Sequence, residues 1–279
     1  MNIYPIDLGS FKLDGGAMFG VVPKVLWNKV YPADENNLVP LALRSMLIVE
    51  GDRKIVIDAG IGEKMDPKLL KHYYLDRDTS IDSELQKHDL TPDDITDVIL
   101  THLHFDHCGG AVKYDANDRP VPTFPNASYW VGAGQWHAAT HPNAREKSSF
   151  FKENFMPIEE NGQLKLVEQT QEIAPGVRVR LYSGHTDGQL VPFIQYGNQT
   201  IVYTADLIPA AANVSLAWIT AFDMEPKIAL EEKKEFLEEA YTNQYVLFFE
   251  HDIFQECCSL KQTEKGVRVK DTFSLSDII

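Results

Sequence analysis

Thr101-His102-Leu103-His104-Phe105-Asp106-His107-Cys108-Gly109-Gly110 packs three imidazoles and one carboxylate into the six positions from His102 to His107. If Val98-Ile99-Leu100 is a buried strand, the chain leaving it turns His102 and His104 to one side as successive same-face residues. Asp106 and His107 then fall on the following turn. Four ligands from so short a segment exceed what one tetrahedral ion normally takes, so the spacing points to two adjacent metals. The plain alternative is a histidine-rich surface loop. Gly109 and Gly110 suit a tight backbone that enters a helix whose positive N-terminus sits near the site.

A two-metal centre needs further ligands, and three segments offer them at strand ends. Val177-Arg178-Val179-Arg180-Leu181-Tyr182 alternates like a strand and runs into Ser183-Gly184-His185. Thr200 to Thr204 is a short apolar run ending at Ala205-Asp206, and Tyr245 to Phe249 delivers Glu250-His251-Asp252. Each has an ordinary reading taken singly: a turn histidine, a helix N-cap, a core histidine bonded to backbone. Beside the first cluster, the repeated pattern of a buried strand followed by a ligand-type residue favours a site.

The order His-x-His-x-Asp-His, then His, Asp and His resembles that of the binuclear metallo-β-lactamase-fold hydrolases. The resemblance covers the chain from about Arg44 to His251. It implies an α/β fold, a four-layer αββα sandwich of two mixed β-sheets flanked by helices, with the metals at one edge. It also implies that His102, His104 and His185 hold one ion, that Asp106, His107 and His251 hold the second, and that Asp206 bridges them. Asp58, at the end of the hairpin Ser45–Glu50, Gly51-Asp52, Arg53–Asp58, would support a ligand histidine from behind, as such sites require. A turn or N-cap aspartate is the alternative there. Asp106 and Asp206 are the catalytic carboxylates on this reading, with Asp106 a ligand first and a proton shuttle second.

Composition agrees with this architecture. Residues 1–279 are expected to form one metallo-β-lactamase-like domain, its 44% hydrophobic content filling two packed sheets, with 1–40 as an N-terminal segment over the active site. No linker, fixed-period repeat, signal-like start or apolar run of about 18 residues is visible. A cytoplasmic protein that does not engage membranes is therefore expected. Three cysteines argue against a disulfide framework, and Cys108 reads as a packing residue rather than a thiolate ligand. Thr91-Pro92-Asp93-Asp94 has the form of a helix start. Pro226 to Asn243 reads as a solvated helix with Ile228, Leu237, Ala240 and Tyr241 at helical spacing.

Two cations about 3.5 to 4 Å apart activate water and polarise a carbonyl or phosphoryl oxygen, so attack by a metal-bridging hydroxide is the expected reaction. An imidazole and carboxylate ligand set suits Zn²⁺ first and admits Mn, Fe or Co. The net charge of −15, with no lysine-arginine cluster, excludes the counterion-displacing surface of a nuclease and hence nucleic-acid partners. Residues 252–279 are short for a flavodoxin domain or for the helical substrate region of glyoxalase-type thioesterases. A true β-lactamase stays open, but the pattern resembles the lactonase branch more, which implies a lactone or small apolar ester, with organophosphate or phosphodiester hydrolysis and a non-catalytic metal-binding sensor as alternatives. Homodimerisation is the family expectation.

The stretch Asp14 to Trp27 resembles the N-terminal segment of quorum-quenching lactonases and their organophosphate-hydrolysing relatives. It implies a substrate pocket walled by Met18, Phe19, Val22 and Trp27. The plain alternative is an extra core element. Pro209 stands three residues after Asp206, where the best-known lactonases carry a tyrosine, which makes acyl-homoserine lactone one candidate among several esters. His137 and His141 share a helical face, and without an accompanying glutamate they read as surface or pocket-rim residues.

Overall fold

Every residue from 1 to 279 is described by the computed structural model. Fifteen strands appear in chain order: β1 (Asn2–Asp14), β2 (Leu38–Glu50), β3 (Arg53–Ile57), β4 (Asp97–Ile99), β5 (Val112–Tyr114), β6 (Pro120–Pro122), β7 (Ser128–Gly132), β8 (Leu164–Val167), β9 (Gln171–Ala174), β10 (Val177–Tyr182), β11 (Gln189–Tyr196), β12 (Gln199–Tyr203), β13 (Val246–Phe248), β14 (Cys257–Thr263) and β15 (Gly266–Phe273). A six-stranded sheet runs β1-β2-β3-β4-β7-β8, and a seven-stranded sheet runs β15-β14-β13-β12-β11-β10-β9. Both are mixed. β3, β4, β7 and β8 are parallel neighbours in the first and β12 and β13 in the second, while the other pairs are antiparallel.

Side-chain alternation explains why these strands read as almost unbroken apolar runs. Met46, Ile48, Ile55, Ile57 and Ile99 of the first sheet meet Val177, Val179, Ile201, Tyr203, Val246 and Phe248 of the second in one core. The intervening Leu47, Val56 and Val98 face a second core together with Leu85, Ala139 and Ile158 from helices Ile81–Gln86, Ala133–Thr140 and Met156–Glu160. On the far side, Val202 and Leu247 pack on Phe236, Leu237 and Ala240 of helix Pro226–Thr242. A sheet covered on both faces buries both sets of alternate residues. The result is the expected four-layer αββα sandwich. No helix is long and apolar enough to cross a membrane.

Three local expectations are corrected. The helix at the histidine motif, Phe105–Cys108, precedes the glycines, and Gly109–Ala111 is a 3₁₀ turn. A Cβ at Gly109 would run into the Ile61 carbonyl, and one at Gly110 into that of Ala59, so the glycines allow two backbones to touch. Thr91 does cap a helical element, but it is a single 3₁₀ turn, Pro92–Asp94, with the Asp94 carboxylate accepting from Thr91 N at 2.9 Å. In helix Pro226–Thr242 the buried stripe is Ala229, Lys233, Phe236, Leu237 and Ala240, whereas Ile228 and Tyr241 are exposed.

Candidate metal centre

Parallel strands release their C-terminal ends at the same edge, and the candidate ligands gather there. Asp58 follows β3 and Thr101-His102 follow β4 beside it; Asp206 follows β12 and His251 follows β13 beside it. His185 follows β10. Two residues at this edge, Asp58 (φ 57°) and Ala205 (φ 44°), hold left-handed backbone that side chains other than glycine seldom adopt. Such a conformation persists only where its surroundings over-determine it.

The seven sequence-predicted ligands converge. His102, His104 and His185 offer nitrogen atoms within 4.8 Å of one another, as do the ligand atoms of Asp106, His107 and His251, and those of His102, His107 and Asp206. Asp206 lies between the groups: its Oδ2 is 3.2 Å from His185 Nε2 and 3.7 Å from His107 Nε2, and its Oδ1 is 3.3 Å from His251 Nε2. Asp106 Oδ2 is 3.8 Å from both His107 Nε2 and His251 Nε2.

The second nitrogen of each imidazole is engaged on the outer side. His102 Nδ1 lies 3.1 Å from Thr101 Oγ1, and His104 Nε2 3.2 Å from Glu146. His107 Nδ1 is 3.2 Å from Asp58 and 3.0 Å from Glu250. His185 Nδ1 is 3.0 Å from Asp223, and His251 Nδ1 is 2.9 Å from the Ala42 carbonyl. An acceptor behind a ring takes its N–H and turns the remaining lone pair inward, which is how ligating histidines are oriented. In the interior, nitrogens face nitrogens: His185 Nε2 and His104 Nδ1 are 3.3 Å apart, His251 Nε2 and His107 Nε2 3.1 Å. The buried His102 Nε2 and Asp206 Oδ1 have no hydrogen-bond partner. Orphaned, inward-facing donors of imidazole and carboxylate type fit a pair of divalent cations.

Electrostatics sharpen the picture. Burial, reinforced by His107 and His104, pushes the His102 imidazole well below its usual range and keeps it neutral, the form that ligates. Burial would raise Asp206, but His185, His251 and His107 outweigh it and hold the carboxyl well below the usual carboxylate range. Burial together with Asp58 raises Glu250, against the opposing pull of His107.

Asp58 stands behind His107. It is fully buried and accepts from Thr101 N and Thr101 Oγ1, each at 2.7 Å, besides facing His107. Sequence reading missed Glu146, Asp223 and Glu250, the other carboxylates behind the ring. Glu146 also accepts from Thr186 Oγ1, and Asp223 from Thr220 Oγ1 at 3.0 Å. Buried Lys233 underpins the Asp223 loop by donating to the Ser215 and Trp218 carbonyls, each at 2.9 Å. None of the three acids has a spacing signal: each meets its histidine through the fold, and only Glu250, next to His251, lies near a motif.

A cavity of about 270 Å³ opens over His104, Asp106, His185, Asp206 and His251. Met18 lines it as expected, joined by Leu13, Leu41, Tyr73, Phe105, Pro209 and Phe222. Phe19, Val22 and Trp27 do not. Phe19 stacks on Trp27 at 5.0 Å between ring centroids, both are 1% exposed, and Val22 packs against the same core. The segment turns at helix Gly15–Phe19, so only one side of it faces the cavity. His137 and His141 stack at 4.9 Å on the surface, away from the cavity. Cys108 is buried and free, its Sγ 3.3 Å from the Leu103 carbonyl, in keeping with a packing residue.

Two mixed sheets between helices, with a His/Asp cluster at the shared strand edge, define a metal-binding αββα protein. Residues 40–251, well over half of the chain, match the metallo-beta-lactamase superfamily, and the chain belongs to that superfamily. It is 28% identical over 166 residues to N-acyl homoserine lactonase AiiA of Bacillus thuringiensis subsp. kurstaki, a stretch covering 59% of this chain and 59% of that protein. The chain thus spans about three fifths of the length of that relative. Among solved structures, a probable metal-dependent hydrolase from Staphylococcus aureus superposes with a TM-score of 0.90 at 31% identity, covering 100% of this chain and 98% of that one. AidC, a dizinc quorum-quenching lactonase, superposes with a TM-score of 0.75 at 21% identity over 97% of this chain and 94% of its own, a likeness of fold.

Proposed function

We propose that the chain is a dinuclear metal-dependent hydrolase of a lactone or small apolar ester, acting as one unit over residues 1–279. The observation that carries this reading is the set of imidazoles each bonded from behind, with His102, His107, His185 and His251 within 3.9 Å of Asp206 and His104 facing His185. His102, His104 and His185 would hold one ion and Asp106, His107 and His251 the other, with Asp206 shared. Zinc is the first choice for this ligand set, and superposition on a dizinc lactonase fold agrees with it. When bound, the ions supply an activated water and Lewis acidity toward the scissile carbonyl.

The chain's own residues account for the rest of the reaction. Leu13, Met18, Leu41 and Phe105 give the cavity an apolar wall that takes the body of an ester and excludes bulk water. Burial, with Asp106 nearby, raises the Tyr73 phenol, so it stays a neutral donor toward an ester oxygen. Water oxygen adds to the carbonyl carbon, the acyl C–O bond breaks, and Asp106 relays the water proton to the leaving alkoxide. The second water proton is released to solvent, and the products are a carboxylate and an alcohol, which for a lactone are one hydroxy acid. The similarity to N-acyl homoserine lactonases supports a lactone as the first substrate to try.

The test is hydrolysis of a γ-lactone series and a chromogenic aryl ester by zinc-loaded protein with and without chelator. Chelator-sensitive turnover is expected. Metal-loaded protein that turns over no lactone, ester or phosphotriester would instead be a metal-binding sensor.

A further inference from the structure

The cavity wall contains one lysine or arginine, Arg145. Its surroundings hold it in place. Asn143 Oδ1 accepts from the backbone N–H of Arg145 at 2.9 Å and of Glu146 at 3.0 Å, and Glu146 is bonded to His104 and Thr186. The Arg145 backbone is therefore tied, one residue away, to the histidine cluster. Its guanidinium donates through Nη2 to the Ala221 carbonyl on the loop across the cavity mouth, and that loop is tied to the N-terminal segment by Ala221 N to Ala17 O at 2.8 Å.

A guanidinium has five N–H donors, and this bond occupies one of them. Arg145 pairs with no carboxylate, although acids outnumber bases 41 to 26 in the chain. The nearby Glu146 carboxylate is already engaged with His104, Thr186 and Asn143. Beside Arg145 in the wall stand Ser148 and Ser149, whose hydroxyls bond no protein group. The cavity thus has an apolar side, from Leu13, Met18 and Leu41, and a side with unused donors and one solvent-exposed positive charge.

From this arrangement we infer that the site takes esters or lactones carrying a carboxylate away from the scissile bond, and that Arg145 with Ser148 and Ser149 binds that carboxylate. The inference rests on the hydrolase reading. A planar fork of N–H donors matches the two oxygens of a carboxylate, which favours this anion over a neutral tail. Arg145 then sets specificity by holding the far end of the substrate while the ester group lies over Asp106 and Asp206.

The experiment compares 4-nitrophenyl hemiglutarate with its neutral methyl ester on zinc-loaded wild type, Arg145→Gln and Arg145→Lys. Wild type is expected to prefer the acid. Arg145→Gln should lower kcat/KM for the acid about 10- to 100-fold, mainly through KM, as expected for losing a charged hydrogen bond. The neutral ester should change less than about threefold, and Arg145→Lys should restore part of the preference. Calorimetry gives a readout independent of turnover: wild type should bind glutarate more tightly than monomethyl glutarate, and Arg145→Gln should erase the difference. Equal wild-type treatment of acid and ester, or an equal loss on both in Arg145→Gln, would overturn the inference and leave Arg145 as a clamp on Ala221. Tighter glutarate binding without turnover of either ester would instead remove the hydrolase reading and keep the carboxylate subsite.

Discussion

His102, His185 and His251 leave the ends of buried strands, and each is gripped by an acceptor from another part of the molecule or from its own neighbour. The cavity wall above them is assembled differently. Met18 comes from the short helix Gly15–Phe19 and Tyr73, Arg145 and Phe222 from turns far apart in the chain, and Phe222 and Arg145 are exposed to solvent. The histidine ring is rigid because strands with both faces covered cannot shift without opening a core. Loop residues carry no such constraint, so a wall can change while the chemistry beneath it stays put.

The largest effect should come from the middle of the ring. Asp206→Ala removes the carboxylate facing both histidine groups, and bound metal, measured by elemental analysis of protein purified without added metal, should fall from near two equivalents per chain. Hydrolysis should drop by about 100-fold or more. Two equivalents retained in the variant would break the bridged reading of the ring.

Next comes a contrast within the N-terminal segment and the wall. Trp27→Ala empties a core position under the segment and should cost about 3 to 5 kcal/mol in urea unfolding. At a temperature where the variant stays folded, its kcat/KM should lie close to that of wild type. Phe222→Ala should do the reverse, with little change in stability and a raised KM for apolar substrates, because Phe222 is 38% exposed and lines the cavity. A large KM effect from Trp27→Ala would return that residue to the wall.

Smaller, and confined to the support behind the ring, is Glu146→Gln. A neutral amide is a weaker acceptor for the His104 N–H, and metal affinity, read by competition with a chromogenic chelator, should weaken about 10-fold. Unchanged affinity would mean that Glu146 only packs.

The subtlest prediction concerns pH. Burial lowers the Lys233 ammonium from its ordinary value to about 7. Between about pH 7 and the ordinary lysine value the unfolded chain carries a proton that the folded chain lacks, so stability should rise with pH across that window. Below about pH 7 the penalty is present in full. Lys233→Met should lose this rise, the two slopes differing by at most about 1.4 kcal/mol per pH unit in urea unfolding at pH 7.5, 8.5 and 9.5. Parallel slopes would show that the amine stays charged between the Ser215 and Trp218 carbonyls.

How much could be read from the chain alone follows the same division. The hairpin through Gly51-Asp52 and the strands entering His185, Asp206 and His251 were legible, the strand into His185 from its alternation and the other two because burial on both faces forces apolar runs that a polar residue at the strand end interrupts abruptly. The N-terminal segment was legible as apolar but not in its facing. Phe19 and Trp27 stack into the core while Met18, one residue away, turns to the cavity, a choice made by the bend at Gly15–Phe19 and not by composition. The glycines after Cys108 were assigned to a helix entrance, since nothing local reveals that the Ile61 and Ala59 carbonyls press against them.

The sequence by itself determined the buried strands and the ligand-type residues at their ends, because periodic burial and such side chains are written locally along the chain, and the resemblance carried by their order implied the sandwich. Only the tertiary structure decided which acids stand behind the histidines, which side of the N-terminal segment faces the cavity, and that one arginine faces it without a carboxylate partner. Those are contacts between positions tens to hundreds of residues apart, as Glu146 is from His104 and Ala42 from His251. Such pairings arise from packing, and no spacing along the chain encodes them.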